Sequence, residues 1–534
     1  MSGKMTIYCL DDVLAKFSMF GRYHLKFMCL AMLAYATNAM YSTNYIFVVE
    51  DSGYRCKDDF ANNTCASDTQ CSEWIYDKPY SFVAEVSSIC CLFDSFTRMF
   101  YKLLSFQLAC QEWKRTLVGT VHSFGYMVGL LIVGPLSDRI GRKNALILTG
   151  VLGGVLGLAR SFTYHYWLYI ALEFLEAAIG DSCSPLYVLN LEIVSAKKRV
   201  IFYGICSIGY VSGSIIFPLV AWSVPYWRNF LRVMYAPALL IITYTILIDE
   251  SPRWLLIKGK KEKAISVVQK MGHTNKVKLD KDALDKLLIE DENKSISFVN
   301  LLKMTFQSRA LLKRCLICIV WWTTSTFVNY GMMINSVSLQ GNKYVNYALV
   351  SIMELPGIFI VMYILTHYNR KNPLICSFLA SSVLCLIQPL MPRGYPWLSV
   401  TTYMLSKLMC SFFFSITYMY TSELFPTYTR NSMHALCSSI GRIGSIIAPQ
   451  TPLLMVYWPG LPSIIFGSAS LIAGLVTFLV PDSADNSLPD TVREAEALGK
   501  KLPKKEIMGI DNIAMTMEED NLNYDGKKTD SIPK

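Results

Sequence analysis

Gly134-Pro135-Leu136-Ser137-Asp138-Arg139-Ile140-Gly141-Arg142-Lys143 is a short basic stretch set between two long apolar runs, 117–133 and 145–159. Apolar runs of that length on both sides of a short turn fit two membrane-spanning helices. Arg139, Arg142 and Lys143 then hold the turn at the cytoplasmic face. Gly134 is small enough to admit a neighbouring helix, and Gly141 suits a reversal of the backbone. Asp138, at a helix end, is placed to pair with a cation or to cap a neighbouring helix N-terminus.

The totals agree with a polytopic membrane protein. Of 534 residues, 53% are apolar and 17% charged, a balance outside the range of large soluble domains. The net charge of +10 does not point to nucleic acid, because the basic residues fall mainly in loops between apolar runs and so read as topology signals. Residues 1–22 are polar and mixed, without the pattern of a cleavable signal peptide, and the run 23–49 is long enough to stay in the membrane. No nucleotide loop, metal cluster or catalytic triad is evident. An enzyme, an ATP-driven pump, a cofactor and a bound metal are therefore not expected.

In order, the chain reads as a cytoplasmic N-terminus (1–22), six spans (23–249), a hydrophilic cytoplasmic block (250–311), six more spans (312–481) and a charged tail (482–534) expected to be disordered. Span one carries Tyr35, Asn38, Tyr41 and Asn44 at a spacing that makes one polar stripe, either lining a cavity or binding a neighbouring helix. Residues 50–115 form a long loop with a glycosylation sequon at Asn62 and six of the sixteen cysteines: Cys56, Cys65, Cys71, Cys90, Cys91 and Cys110. A sequon with clustered cysteines puts this loop outside the cell. The block 251–309 holds thirteen Lys/Arg against seven Asp/Glu, as a cytoplasmic surface would. Asn293, a second sequon, falls there and is expected to stay bare. Cys315 and Cys318 form a CxxC with no second pair to complete a metal site.

The two sets of six spans repeat. Arg142-Lys143-Asn144 after span two recurs as Arg370-Lys371-Asn372 after span eight. Glu192, seven residues before Arg199, is echoed by Glu423, seven before Arg430. The expected fold is all-α, twelve transmembrane helices in two pseudo-symmetric six-helix bundles, with a substrate site at mid-membrane between them.

The opening stretch resembles the signature loop of the major facilitator superfamily, between its second and third helices. Within it, four stretches resemble the organic ion transporter family, solute carrier family 22, which includes cation, anion and carnitine carriers. They are Glu250-Ser251-Pro252-Arg253-Trp254-Leu255, Leu186-Tyr187-Val188-Leu189 with Glu192, Met353-Glu354-Leu355-Pro356-Gly357, and the run from Tyr420 through Glu423, Pro426 and Arg430 to Arg442 and Pro449. The cysteine-bearing first outer loop matches as well. The resemblance implies a secondary carrier of small organic ions in the plasma membrane, with both termini cytoplasmic. It further implies a gate built from Gly134, Asp138, Arg139, Gly141, Arg142, Glu192, Arg199, Glu423 and Arg430. A coupling ion is left open, as is oligomeric state. Disulfides among Cys56, Cys65, Cys71 and Cys110 are expected, with the pairing open. Residues 86–105, which part Glu85 from Phe106, read as a dispensable insertion.

The departures bear on substrate. The family often places an arginine early in span four, where this chain has Leu172-Glu173. Cation carriers hold an aspartate where this chain has Arg442; anion carriers add a lysine after the proline of span eight, where this chain has Gly357-Ile358. The combination of Arg442 with Glu354 is nearest the carnitine-type members. An arginine suits a carboxylate and a glutamate an ammonium, so the two together suit a zwitterion unless they neutralise one another. Trp322, Tyr330, Tyr418, Tyr41 and Tyr210 are candidate cavity walls, since aromatic faces attract quaternary amines. Asn38 belongs to the same set, and Lys407 is a candidate anion ligand. His122 is either a proton carrier or a spectator. A carrier of organic cations or zwitterions is the leading expectation, an organic anion carrier the alternative. A receptor or scaffold on the same fold is the rival from another class.

Overall fold

The computed structural model describes residues 8–50, 53–56, 74–77, 81–82, 111–195, 198–279, 287–288, 308–392, 394–482 and 495. Asn62, Cys65, Cys71, Cys90, Cys91, Cys110, residues 86–105, Asn293 and nearly all of the tail lie outside the described residues, as does the side chain of Cys56.

Each of the twelve expected spans is helical. Span one is Arg22–Ser42 with a further turn, Tyr45–Val48; span two is Glu112–Ile140; span three is Arg142–Arg160. Span four breaks into Tyr166–Ile179 and Cys183–Ile193. Span five is Arg199–Ser223, and span six runs from Trp227–Tyr235 through a 3-10 segment, Ala236–Thr243, to Tyr244–Leu247. In the second half, span seven is Arg309–Asn335, span eight is Lys343–Ile352 plus Glu354–His367, and span nine is Lys371–Ile387. Span ten is Pro396–Glu423, span eleven Thr427–Ile447 with the 3-10 segment Ala448–Val456, and span twelve Leu461–Thr477. Six helices are long and apolar enough on their own to cross a membrane. The other spans are shorter, broken or richer in polar side chains, and rely on their neighbours to bury those groups.

Two details differ from the expectation. The stretch 134–140 is helical rather than a turn, so the reversal falls on Gly141 alone, whose φ of 106° suits glycine. The N-terminal segment is also more than a polar lead: Leu10–Ala15 is a helix that buries Leu10, Val13 and Leu14 against the first bundle. Asp11 there pairs with Arg253 of the central block.

The duplication in sequence is a duplication in packing. Gly209 and Gly213 of span five lie against the backbone of span one at Met32 and Ala36, where an added Cβ would collide. Gly441 and Gly444 of span eleven lie in the same way against span seven at Trp322 and Thr323. Small residues let these helix pairs pack backbone to backbone.

The two bundles meet along a seam whose ends differ. At the end where span one leads into residues 50–110, the seam is tight. Tyr347 donates to Thr43 Oγ1 at 3.1 Å, Lys343 pairs with Glu50, and Tyr344 stacks on Phe47 and Trp222. Gln450 bridges Thr116 and Thr120 at 3.0 and 2.6 Å. At the opposite, basic end no described residue packs on the motif at Gly134. Nothing lies within 4 Å of the place a Cβ of Gly134 would occupy. The close helix approach expected at Gly134 is thus not made by the described residues in this conformation.

Candidate functional site

At the basic end, Arg142 is a buried bridge. Its guanidinium lies 2.5 Å from Asp138 in the preceding turn and 3.2 Å from Glu192 at the end of span four. In the second half, Arg370 lies 3.1 Å from Glu423 at the end of span ten. Lys143 donates to the Thr245 carbonyl at 2.7 Å and Lys371 to the Phe478 carbonyl at 3.2 Å, each satisfying a helix C-terminus. The repeated Arg-Lys pairs therefore tie the start of span three to span four and span six, and the start of span nine to span ten and span twelve. Gly141 brings its neighbour Lys143 within reach of Glu250, whose carboxylate accepts from the Lys143 amide at 3.0 Å. Trp254 Nε1 donates to the Asp138 carbonyl at 2.9 Å, so the central block is anchored on the same motif. Arg199 donates to the Leu191 carbonyl at 3.0 Å, Arg430 is half-buried in span eleven, and Arg139 is exposed.

At mid-membrane, Arg442 of span eleven is 8% exposed and faces the seam. It donates to the Tyr330 hydroxyl at 3.4 Å and sits 5.0 Å from the centroid of the Tyr126 ring, which comes from the first bundle. Among the described residues it forms no ion pair, and its Nε has no hydrogen-bond partner. Tyr418, exposed on one face, packs on Trp322, and Asp181 is buried in the break of span four. Asp181 accepts from the Cys183 amide at 2.9 Å and from the Ser184 hydroxyl. Tyr210 is half-buried, its hydroxyl 3.2 Å from that of Ser42.

Glu354 does not face Arg442 as a partner. Lys407, fully buried in span ten, pairs with Glu354 at 3.0 Å and also donates to Asn329. Neither the zwitterion pair nor the mutual neutralisation of Arg442 with Glu354 is what the fold builds; Lys407 takes the glutamate and Arg442 is left among tyrosines. Two candidate wall residues lie inside their bundles instead. Trp322 is 1% exposed, donates to Thr421 at 3.1 Å and packs behind Tyr418. Tyr41 is 7% exposed and stacks on Tyr235 at 4.6 Å. The polar stripe of span one behaves likewise: Asn38 reaches Ser182, Tyr35 receives Asn190, and Asn44 donates to Tyr235. It fastens span one to spans four and six.

A profile described as "Sugar (and other) transporter" matches residues 61–491. "Solute carrier family 22 member 3" of Mus musculus is 30% identical over 74% of this chain and 71% of that protein. The chain belongs to solute carrier family 22. "Organic cation/carnitine transporter 2" of Rattus norvegicus is 30% identical over 72% of this chain and 70% of its own. "Organic cation transporter protein" of Drosophila melanogaster is 26% identical over 92% and 95%. Among solved structures, the inward open conformation of the xylose transporter XylE from E. coli matches 88% of this chain with a TM-score of 0.57 at 14% identity, a likeness of fold. This member of solute carrier family 22 is accordingly a multi-pass membrane protein of the major facilitator fold, a secondary transporter of small organic ions and not an enzyme.

The transporter also holds a charge cluster that sequence reasoning left scattered. Arg160, at the end of span three, pairs with Glu173 of span four and lies 3.9 Å from Glu176 one turn further on. His122 of span two is 2.8 Å from Glu173 and 3.9 Å from Glu176. Donor atoms of His122, Glu173 and Glu176 fall within 4.8 Å of one another, the spacing of a metal ligand set, although Arg160 occupies the space against both carboxylates. The signal that could have found this site, and Asp181, was present: ionisable residues inside apolar runs. Tyr126 gave no such signal, since tyrosine is common in spans and only its place beside Arg442 singles it out.

Proposed function

We propose that this transporter carries a small zwitterion, a carboxylate joined to an ammonium as in carnitine, by alternating access. The observation that supports it is Arg442: a buried guanidinium at the seam, without a carboxylate partner among the described residues and framed by Tyr126, Tyr330 and Tyr418. A substrate carboxylate would complete the guanidinium by charge-assisted hydrogen bonds, and the tyrosine faces would take the ammonium. The names of the cation and carnitine relatives agree with this class. The pairing of Glu354 with Lys407 favours one second reading, an organic anion, because it removes a carboxylate from the site.

On this reading the basic end is cytoplasmic and the 50–110 loop outside, by the excess of Lys and Arg in the turns, and the protein resides in the plasma membrane. The conformation is then inward-facing, with the Asp138–Arg142–Glu192 and Arg370–Glu423 networks as the inner gate. Uptake of labelled L-carnitine, tetraethylammonium and p-aminohippurate in injected oocytes tests the substrate class. Carnitine uptake above water-injected controls, competed by both other probes weakly, is expected; uptake of p-aminohippurate alone would favour the anion reading. No uptake of any, at verified surface abundance, would favour a receptor or scaffold.

A further inference from the structure

The cluster around Arg160 does not balance its charge. Glu173 and Glu176 bring two carboxylates, Arg160 brings one guanidinium, and all three are 0–3% exposed. Among the described residues, the other groups packed against them are formally neutral: His122 from span two, Tyr169 from span four, Tyr235 from span six and Tyr41 from span one. Tyr235 accepts from both Arg160 and Asn44. Glu176 Oε2 accepts no hydrogen bond among the described residues. Counted over the described residues, one negative charge is left uncompensated in hydrocarbon, which costs several kcal/mol unless a cation joins it. A metal ion would have to displace a guanidinium already seated on Glu173. A proton needs no room.

The cluster also adjoins the seam. The His122 ring lies 5.5 Å from that of Tyr45, and Tyr45 packs with Pro449 of the second bundle beside Gly119. Thr116 and Thr120, on the same helix as His122, bind Gln450 across the seam. Parting of the bundles at this end would uncover the Tyr45 side of the cluster to water.

We propose that His122, Glu173, Glu176 and Arg160 bind one exchangeable proton and form the coupling-ion site of the transporter, loaded when the seam opens at the 50–110 end. The proton belongs to the cluster rather than to one residue, being shared between the imidazole and the second carboxylate. With it bound, the cluster is neutral and the seam closes over it. The inference rests on the transporter fold and not on the zwitterion reading.

The test has two arms. Purified full-length protein in nanodiscs, without substrate, is titrated with infrared detection. The wild type shows a buried carboxylic-acid or histidinium band that bleaches on alkalinisation, and Glu176→Gln, which leaves one carboxylate for one guanidinium, removes that band. Should the variant fail to fold, the wild-type spectrum decides: no such band overturns the proposal. Stabilisation of the wild type by Mn2+ or Zn2+ at fixed pH, lost in Glu176→Gln, overturns it too by assigning the donors to a metal. In proteoliposomes with the membrane potential clamped, an inward proton gradient speeds uptake of labelled L-carnitine by the wild type and not by Glu176→Gln. Gradient-insensitive wild-type uptake overturns the coupling. If carnitine is not taken up at all, the substrate reading fails and the infrared arm still decides the proton site.

Discussion

Lys407 Nζ lies 3.0 Å from a carboxylate oxygen of Glu354, and this pair decides what Arg442 can do. The only glutamate expected at mid-membrane in the second bundle already has its cation, so Arg442 faces the seam with tyrosines for neighbours. Removing Lys407 would leave Glu354 as an unpaired charge. Lys407→Met is therefore expected to lower thermal stability by about 3–5 kcal/mol, the usual consequence of breaking a buried pair from one side. Lys407→Met with Glu354→Gln should recover most of it. Unfolding of the purified variants checks this; a single variant as stable as the wild type would mean the pair is solvated.

Arg442 is expected to set charge preference. In Arg442→Gln, a carboxylate-bearing substrate loses charge-assisted hydrogen bonds worth about 1.5–3 kcal/mol each, so affinity should fall by about tenfold or more. Arg442→Asp should turn the preference toward plain cations. Competition of carnitine, tetraethylammonium and p-aminohippurate for uptake reads the change, and an unaltered ranking would make Arg442 structural.

Arg142 and Arg370 occupy equivalent places and make equivalent pairs, with Glu192 and Glu423. Each pair sits at a membrane face with some exposure on both side chains, 11% and 14% in the first and 24% and 16% in the second, so water shares in solvating a charge left behind. Arg142→Ala and Arg370→Ala should therefore reach the membrane at near-normal abundance while slowing turnover. Initial rates normalised to surface biotinylation measure this. A pair of variants with wild-type rates would leave the networks without a role in the transport cycle.

These pairs show how far the sequence was legible. The repeated Arg-Lys-Asn turns and the two glutamates were visible as motifs, and the fold joined them as the duplication implied. Arg442 was visible because an arginine in an apolar run is rare. Its surroundings were not, because Lys407 and Glu354 are 53 residues apart by number and meet only through the packing of spans eight and ten. Trp322 and Tyr41 misled for the opposite reason. A large aromatic residue in a span is as suited to filling a bundle as to lining a cavity, and only burial separates the two uses. The break in span four, at Asp181, was marked by Gly180 and by Pro185, which has no N–H to bond the Asp181 carbonyl and so stops the first helix before it, but neither residue says what the break faces.

Gly134 offers the sharpest separation between a folding role and a role in alternation. In this conformation no described residue outside its own chain neighbours lies within 4 Å of its Cβ position, so Gly134→Leu finds room. The helix propensity gained over glycine, up to about 1 kcal/mol, is offset by Pro135, whose ring disfavours helical backbone at a preceding residue that carries a Cβ. If the transport cycle brings the second bundle against this face, the same leucine blocks that state and no other. Gly134→Leu is therefore expected to be as abundant and as thermally stable as the wild type, yet to transport little. Gly209→Leu supplies the contrast. An added side chain there meets the backbone of Met32, in a contact between spans one and five of the same bundle. That variant should lose stability and surface abundance together. Both are read by fluorescence size-exclusion chromatography after heating, alongside uptake. Wild-type uptake by Gly134→Leu would show that the second bundle never closes on this helix.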